Sequence, residues 1–378
     1  MLSFNNIYGQ PAALMRRRIW SGEERKLPSV SVLQENDFQM HTGFLPIKNT
    51  PPDFCVFNGR VHVLVFGKEV YTTPDFKNLT LRFSVPGAPN DYGAITSVVQ
   101  RGGTIIVGMS YMSGITPMNI SKISTNDGAS FTDSWFGHYM MSAGEYFFGA
   151  ARGQSGVSSI YRSATGLESP WATVPMPSMA YWNQMLHNGS VYLALADLAS
   201  YGRSSAFSDS GASFIVSDGW STALNQLPST CRPTQAVVVG TTFVLVGGNG
   251  KRLCTLRSDN GRWFNVHSQL LNTEDGDDIQ AVTHACVVEG VIYARATCSD
   301  AQNVQRSRLL VSTDAGLTWN STSCISAGRM TSTGGYAGLL CPLAPGQGLY
   351  YAPGLNNDFG LTSDMSNDRD FYYELGAA

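Results

Sequence analysis

Ser312-Thr313-Asp314-Ala315-Gly316-Leu317-Thr318-Trp319 is the stretch from which the fold is read. A short carboxylate followed two residues later by Gly is turn chemistry. The acid accepts bonds from the backbone N–H groups of its own turn, and Gly takes a left-handed or close-approach position. The aromatic three residues on is free to bury. The pattern recurs as Ser124-Thr125-Asn126-Asp127-Gly128-Ala129-Ser130-Phe131, as Phe207-Ser208-Asp209-Ser210-Gly211-Ala212-Ser213-Phe214, and as Arg257-Ser258-Asp259-Asn260-Gly261-Arg262-Trp263-Phe264. Degraded copies keep the phase at Thr73-Pro74-Asp75, Arg162-Ser163-Ala164-Thr165-Gly166 and Thr362-Ser363-Asp364. The third positions fall at 75, 126, 164, 209, 259, 314 and 364, a spacing near that of four-stranded propeller blades.

A second feature runs in phase with the first: an apolar strand, a Gly turn, and another apolar strand. Examples are Phe54–Phe57 and Val61–Val65 around Asn58-Gly59, Met185-Leu186 and Val191–Leu193 around Asn188-Gly189, and Val237–Val239 and Phe243–Val246 around Gly240. Such turns between apolar runs mark hairpins. Strands apolar on both faces fit burial between neighbouring sheets. The expected architecture is all-β: a seven-bladed β-propeller of four-stranded antiparallel blades over residues 50–375, preceded by an N-terminal extended arm and lead-in over 1–49. The third unit, around Phe147-Phe148-Gly149, is the least regular, and six blades is the alternative if it is an insertion.

These turns resemble the Asp-box (BNR) repeat of sialidase-like propellers over nearly all of residues 50–370, most specifically at 312–319. The resemblance implies that Asn126, Gly128, Asp209, Gly211, Asp259, Gly261, Asp314, Gly316 and Trp319 are structural residues of blade turns. A sialidase would add an arginine near the first blade, two later arginines to clamp a carboxylate, a Tyr–Glu nucleophile pair and an acid. At the matching place the chain reads Thr42-Gly43-Phe44-Leu45-Pro46-Ile47, without the arginine. Glu145-Tyr146 offers both residue types, but adjacent strand residues point to opposite faces. No catalytic residue is expected.

Composition narrows the function. Charged residues are 14% of 378, hydrophobic residues 43%, and the net charge is −3. That argues against nucleic acid and anionic membrane as partners. No run approaches a membrane span, and the start lacks the pattern of a secretory signal. The seven cysteines form no CxxC pair, the histidines no HxxxH, and the acidic run Asn272–Asp278 lacks EF-hand spacing. No metal or cofactor is expected, and the cysteines read as small buried hydrophobes. Residues 1–30 stand apart, with Arg16, Arg17, Arg18 and Trp20 in the one basic cluster. A segment this short does not order itself alone, so it is read as a docking arm. The composition resembles virion components, particularly bacteriophage tail proteins. The expectation is a non-enzymatic adaptor or appendage, present in multiple copies in the virion tail and assembled in the host cytoplasm. Its arm would bind other tail proteins. The alternatives are a propeller that binds a host surface glycan, with Trp135, Trp182 or Trp220 as sugar platforms, and a glycosidase with paired carboxyl groups at its centre.

Overall fold

The computed structural model describes residues 39–41, 53–74, 78–85, 94–113, 116–134, 139–150, 157–196, 204–228, 231–271, 278–299, 305–321, 339–342, 349–352 and 370–373. The chain is a β-propeller of four-stranded antiparallel blades. Six sheets each use four consecutive strands, over 54–84, 94–134, 139–180, 182–216, 233–270 and 278–321. A further sheet closes the ring. It pairs Leu339–Pro342, Leu349–Ala352 and Asp370–Tyr373 in order, with Gln39–His41 as its outermost strand. The irregular third unit is a complete blade rather than an insertion.

Gln39–His41 lies in the segment read as arm and lead-in. One strand from each end of the chain shares a sheet, which leaves no open seam in the ring. Residues 1–38 lie outside the described residues, and with them Arg16, Arg17, Arg18 and Trp20. Asp75 and the copy at 362–364 also lie outside.

The innermost strand of each blade contacts the innermost strands of its two neighbours, from Phe54–Phe57 round to Leu339–Pro342 and back. The second strands are the most deeply buried. His62–Phe66 and Tyr192–Ala196 are buried at every position. A strand packed between two sheets has no solvent face, which is why these runs are continuously apolar rather than alternating. Each successive pair of the first six blades has its own apolar cluster. Between the third and fourth, the Phe148 and Trp182 rings meet Ala194, Ala196 and Ala206.

His62 is the polar residue in the first of these strands. It is fully buried against the Phe57 ring, with centroids 4.5 Å apart, and burial lowers its pKa to about 3. Among the described residues one element is not β. A seven-residue helix, Trp220–Gln226 (α1), lies between the fourth and fifth blades and buries Trp220 and Ala223.

In the second to sixth blades the repeated turns join the third strand to the fourth. In each, a buried serine hydroxyl accepts a hydrogen bond from the amide of a left-handed glycine: Ser124 from Gly128 (2.9 Å), Ser163 from Gly166 (2.6 Å), Ser208 from Gly211 (2.9 Å), Ser258 from Gly261 (2.8 Å) and Ser312 from Gly316 (2.8 Å). Asp314 Oδ1 accepts from the Ser312 hydroxyl and the Thr318 amide, both at 2.9 Å. Asn126 Oδ1 does the same with Ser124 and Ser130.

The sequence reading gives Asp209 and Asp259 the place of Asp314, and here the structure differs. The turns at 208–211 and 258–261 are one residue shorter between serine and glycine. The residue next to the glycine therefore takes the acceptor role. Asn260 Oδ1 receives the amides of Arg262 (2.9 Å) and Trp263 (3.0 Å), and Ser210 Oγ receives Ala212 (3.3 Å). Asp259 instead accepts the Thr242 hydroxyl at 2.5 Å. In the degraded third copy Glu168 supplies the missing carboxylate from the far side of the turn, accepting the amides of Ala164 (3.1 Å) and Thr165 (3.0 Å). Burial works to raise the pKa of Glu168, but the Ser163 and Thr165 hydrogen bonds prevail and hold it near 2.

Each turn presses on the blade before it. A Cβ built on Gly128 would fall 2.7 Å from Thr72 Cγ2, on Gly166 2.8 Å from Ile106 Cδ1, on Gly261 3.0 Å from Phe207 Cβ, and on Gly316 2.7 Å from Val244 Cγ1. The aromatic follows the glycine into the same interface. Trp319 Nε1 donates to Thr255 Oγ1 at 3.0 Å, and Phe131 and Phe214 meet Phe83 and Phe148 edge-on. The inner hairpin of the preceding blade clasps several of these turns. Asn58 Nδ2 reaches Asp127 Oδ1 (2.9 Å), Arg101 reaches the Ala164 carbonyl, and Asn188 Nδ2 reaches the Asp259 carbonyl (2.7 Å).

Gly316→Ala should therefore destabilise the chain by about 3 kcal/mol, from left-handed strain plus overpacking. Gly290→Ala, at φ +79 but with open space around it, should cost only about 1 kcal/mol. Denaturant unfolding of the two variants checks the difference. His62 sets a pH dependence. Its folded pKa lies below its unfolded value of 6.5, so the unfolded chain takes up a proton that the folded chain refuses. Stability should be complete above pH 6.5 and fall by about 1.4 kcal/mol per pH unit between there and pH 4. Thermal unfolding against pH should show this loss, and His62→Phe should shallow it.

Candidate functional site

The strand order puts two kinds of connection on opposite faces of the ring. Turns between first and second strands and between third and fourth strands share one face, where they are committed to contacts between blades. Connections from second to third strands, and from each blade to the next, share the other. Gly250, in a second-to-third turn, exchanges two backbone hydrogen bonds with Ile279 at the start of the next inner strand, 2.7 and 2.6 Å. The α1 helix starts against the third-to-fourth turn of the fifth blade, where the Gly219 amide donates to the Arg262 carbonyl at 2.9 Å. Side chains on the face of the second-to-third connections are freer to serve a ligand.

Where the inner strands begin on this face, they carry a collar of polar residues: Thr96, Ser97, Asn183, Gln184, Thr234, Gln235, Asp278, Gln280, Thr283 and His284. Four of these strands are bulged here. The register shifts between Ile95 and Ser97, Trp182 and Gln184, Pro233 and Gln235, and Ile279 and Ala281; the last of these strands shifts again between Val282 and His284. A bulge re-aims a side chain that strict alternation would send into the sheet interface. The residues skipped are Thr96, Asn183, Thr234, Gln280 and Thr283, all polar. Sequence reading finds only apolar strands here, because a bulge breaks the two-residue period on which the reading depends.

Some collar groups tie neighbouring blades. The Ser97 hydroxyl accepts the Met140 amide at 2.9 Å, and the Thr234 hydroxyl donates to the Val282 carbonyl. Arg295 Nη1 donates to Thr283 Oγ1 at 2.6 Å. Burial, then the Arg295 charge, lowers the His284 pKa to about 4, so this imidazole is neutral at pH 7. Four collar oxygens are buried without a hydrogen-bond partner among the described residues: Thr96 Oγ1, Asn183 Oδ1, Gln184 Oε1 and Asp278 Oδ1. They come from the second, fourth and sixth blades. The inner strands carry a single carboxyl group, Asp278.

The other candidate residues lie elsewhere. Glu145 sits in the hairpin turn on the opposite face. Tyr146 packs between the third and fourth blades, under the Arg162 guanidinium (4.4 Å) and beside Tyr192. Trp182 and Trp220 are 1% and 4% exposed, so neither offers a face to a sugar. They fill the interfaces on either side of the fourth blade. Trp135 and the loop 272–277 lie outside the described residues. Among the described residues no His, Cys, Asp and Glu group is arranged to hold a metal ion.

The sequence matches no protein-family model and no curated protein. Solved structures do resemble it. YCF48 bound to a D1 peptide superposes with a TM-score of 0.56 at 13% identity, over 91% of this chain and 99% of that one. The GH74 xyloglucanase from Xanthomonas campestris superposes at 0.50 with 13% identity, over 75% of this chain and 46% of that one. At these identities the likeness speaks for the propeller fold alone.

The unpartnered oxygens give the collar a measurable signature. An acceptor buried without a donor lowers stability, and an apolar replacement of similar shape relieves that cost. Gln184→Leu should leave stability equal or raise it by about 1 kcal/mol, in contrast to the usual loss on altering a core position. Chemical denaturation checks the sign.

Proposed function

We propose that this chain is a non-enzymatic recognition propeller, an adaptor that grips a segment of a partner protein at its axial collar. The observation that carries this reading is the set of four buried oxygens without donors, on alternate blades around the axis. Each can accept a hydrogen bond, and the Thr96 hydroxyl can also donate one. A ligand that satisfied them together would have to span the ring and carry several N–H groups, as an extended polypeptide does. Glycoside hydrolysis takes two carboxyl groups, and the inner strands supply one. A similar propeller, YCF48, was solved with a D1 peptide, which accords with the reading without carrying it.

The finer assignment is by resemblance: a composition low in charge and rich in Gly resembles that of virion components, which supports a tail adaptor in multiple copies docked through residues 1–30.

The test is selection of peptides from a displayed random library on the intact chain. The wild type should enrich donor-rich sequences. The Asn183→Leu/Gln184→Leu variant should fold, keep its stability and lose that enrichment by tenfold or more. Equal enrichment by the variant would remove the collar from the account, and turnover of a glycoside by the wild type would remove the non-enzymatic reading.

A further inference from the structure

Cys231 and Cys254 meet inside the interface between the fourth and fifth blades, and the backbone is shaped to let them. Pro233 pairs with Gly247, and Gly247 pairs with Cys254, so all three stand on one face of the fifth blade. The connection from α1 crosses that face directly over Gly247. A Cβ there would lie 1.8 Å from the Arg232 carbonyl oxygen and 2.5 Å from its carbon. With that space open, Cys231 passes over the second strand and reaches the third. Its sulfur lies 3.7 Å from the Arg252 carbonyl oxygen, and Cys231 and Cys254 belong to one buried cluster. Both residues are fully buried and both thiols are free. Arg232 fastens the connection by donating to the carbonyls of Pro228 (3.0 Å) and Cys231 (3.1 Å). Two residues beyond, the chain enters the collar at Thr234.

We propose that Cys231 and Cys254 are a redox site, a dithiol that closes to a disulfide under peroxide and staples the α1 connection to the fifth blade beside the collar. The polarity within the pair gives the order of events. Contact with Cys254, and then the nearby Arg232 and Arg252 charges, shift Cys231 toward the thiolate against its burial, whereas the same contact and burial hold Cys254 protonated. The Cys231 thiolate is the attacking group. It takes one oxygen from hydrogen peroxide, the O–O bond breaks, and hydroxide leaves to be protonated by solvent. The sulfur of Cys254 then attacks the sulfenic sulfur, gives up its proton, and expels water. The two thiols lose two electrons, and one peroxide becomes two waters. The inference stands independently of what the collar binds.

The full chain is treated with hydrogen peroxide, quenched in denaturant with an alkylating agent, and mapped by mass spectrometry. The expected result is loss of two alkylatable thiols, a loss of 2 Da, and a cross-linked peptide pair containing Cys231 and Cys254. Cys55, Cys286 and Cys298, which lie on the first and sixth blades away from this pair, should remain alkylatable. Closure of this loop should raise the melting temperature by about 5 °C, reversibly with dithiothreitol. In Cys254→Ser the reaction should stop at a Cys231 sulfenic acid that a dimedone probe traps. Mapping of the wild type decides the matter even if a variant fails to fold. A pair that stays reduced while other cysteines oxidise overturns the proposal, as does a cross-link joining different cysteines.

Discussion

From the second blade to the sixth, the structure depends on a turn glycine lying against the blade before it. Gly128, Gly166, Gly261 and Gly316 each stand where a single methyl group would collide with a side chain of the preceding sheet, and Gly211 stands at ordinary contact distance. The serine beneath each glycine fixes the left-handed backbone that makes the approach possible. Hydrogen bonding inside the turn therefore becomes apolar packing between blades, and the aromatic that follows completes the contact. The acid of the motif is subordinate. Asp314, Asn126, Asn260 and Glu168 serve the same turn from different positions, because the turn needs an acceptor oxygen rather than a particular residue.

A ring assembled this way divides its two faces. One is occupied by hairpins and turns that clasp each other, as Asn58 clasps Asp127 and Asn188 clasps the Asp259 carbonyl. The opposite face keeps the longer connections and the bulged starts of the inner strands. Four buried oxygens without a donor among the described residues lie there. The first strand, Gln39–His41, holds the ring closed against Asp370–Tyr373.

Much of the architecture was legible in the sequence because it repeats. The Ser–Gly turns and the Asn-Gly hairpins lie in phase, and their residue types state their backbone needs directly. The acceptor swaps at 208–211 and 258–261 were not legible, because Asp209 and Asp259 keep the same distance from glycine as Asp314 while the serine moves one place closer. The third blade was obscured because its carboxylate, Glu168, comes after the glycine. The collar was hidden for a different reason. Thr96, Asn183 and Gln280 look like interruptions of apolar strands until bulges turn them. The Cys231–Cys254 contact crosses two strand pairings and rests on Gly247, which in sequence reads as part of a glycine-rich hairpin.

The most direct measurement is a double-mutant cycle between a turn and the blade it presses on. Gly316→Ala and Val244→Ala are made singly and together, and unfolding free energies are compared. If the turn glycine acts by contact with the preceding blade, trimming Val244 makes room for the new methyl group. The two effects should then fall short of their sum by about 1 kcal/mol or more. Strict additivity would mean that the glycine serves only its own backbone, and that the blades are held together by something else.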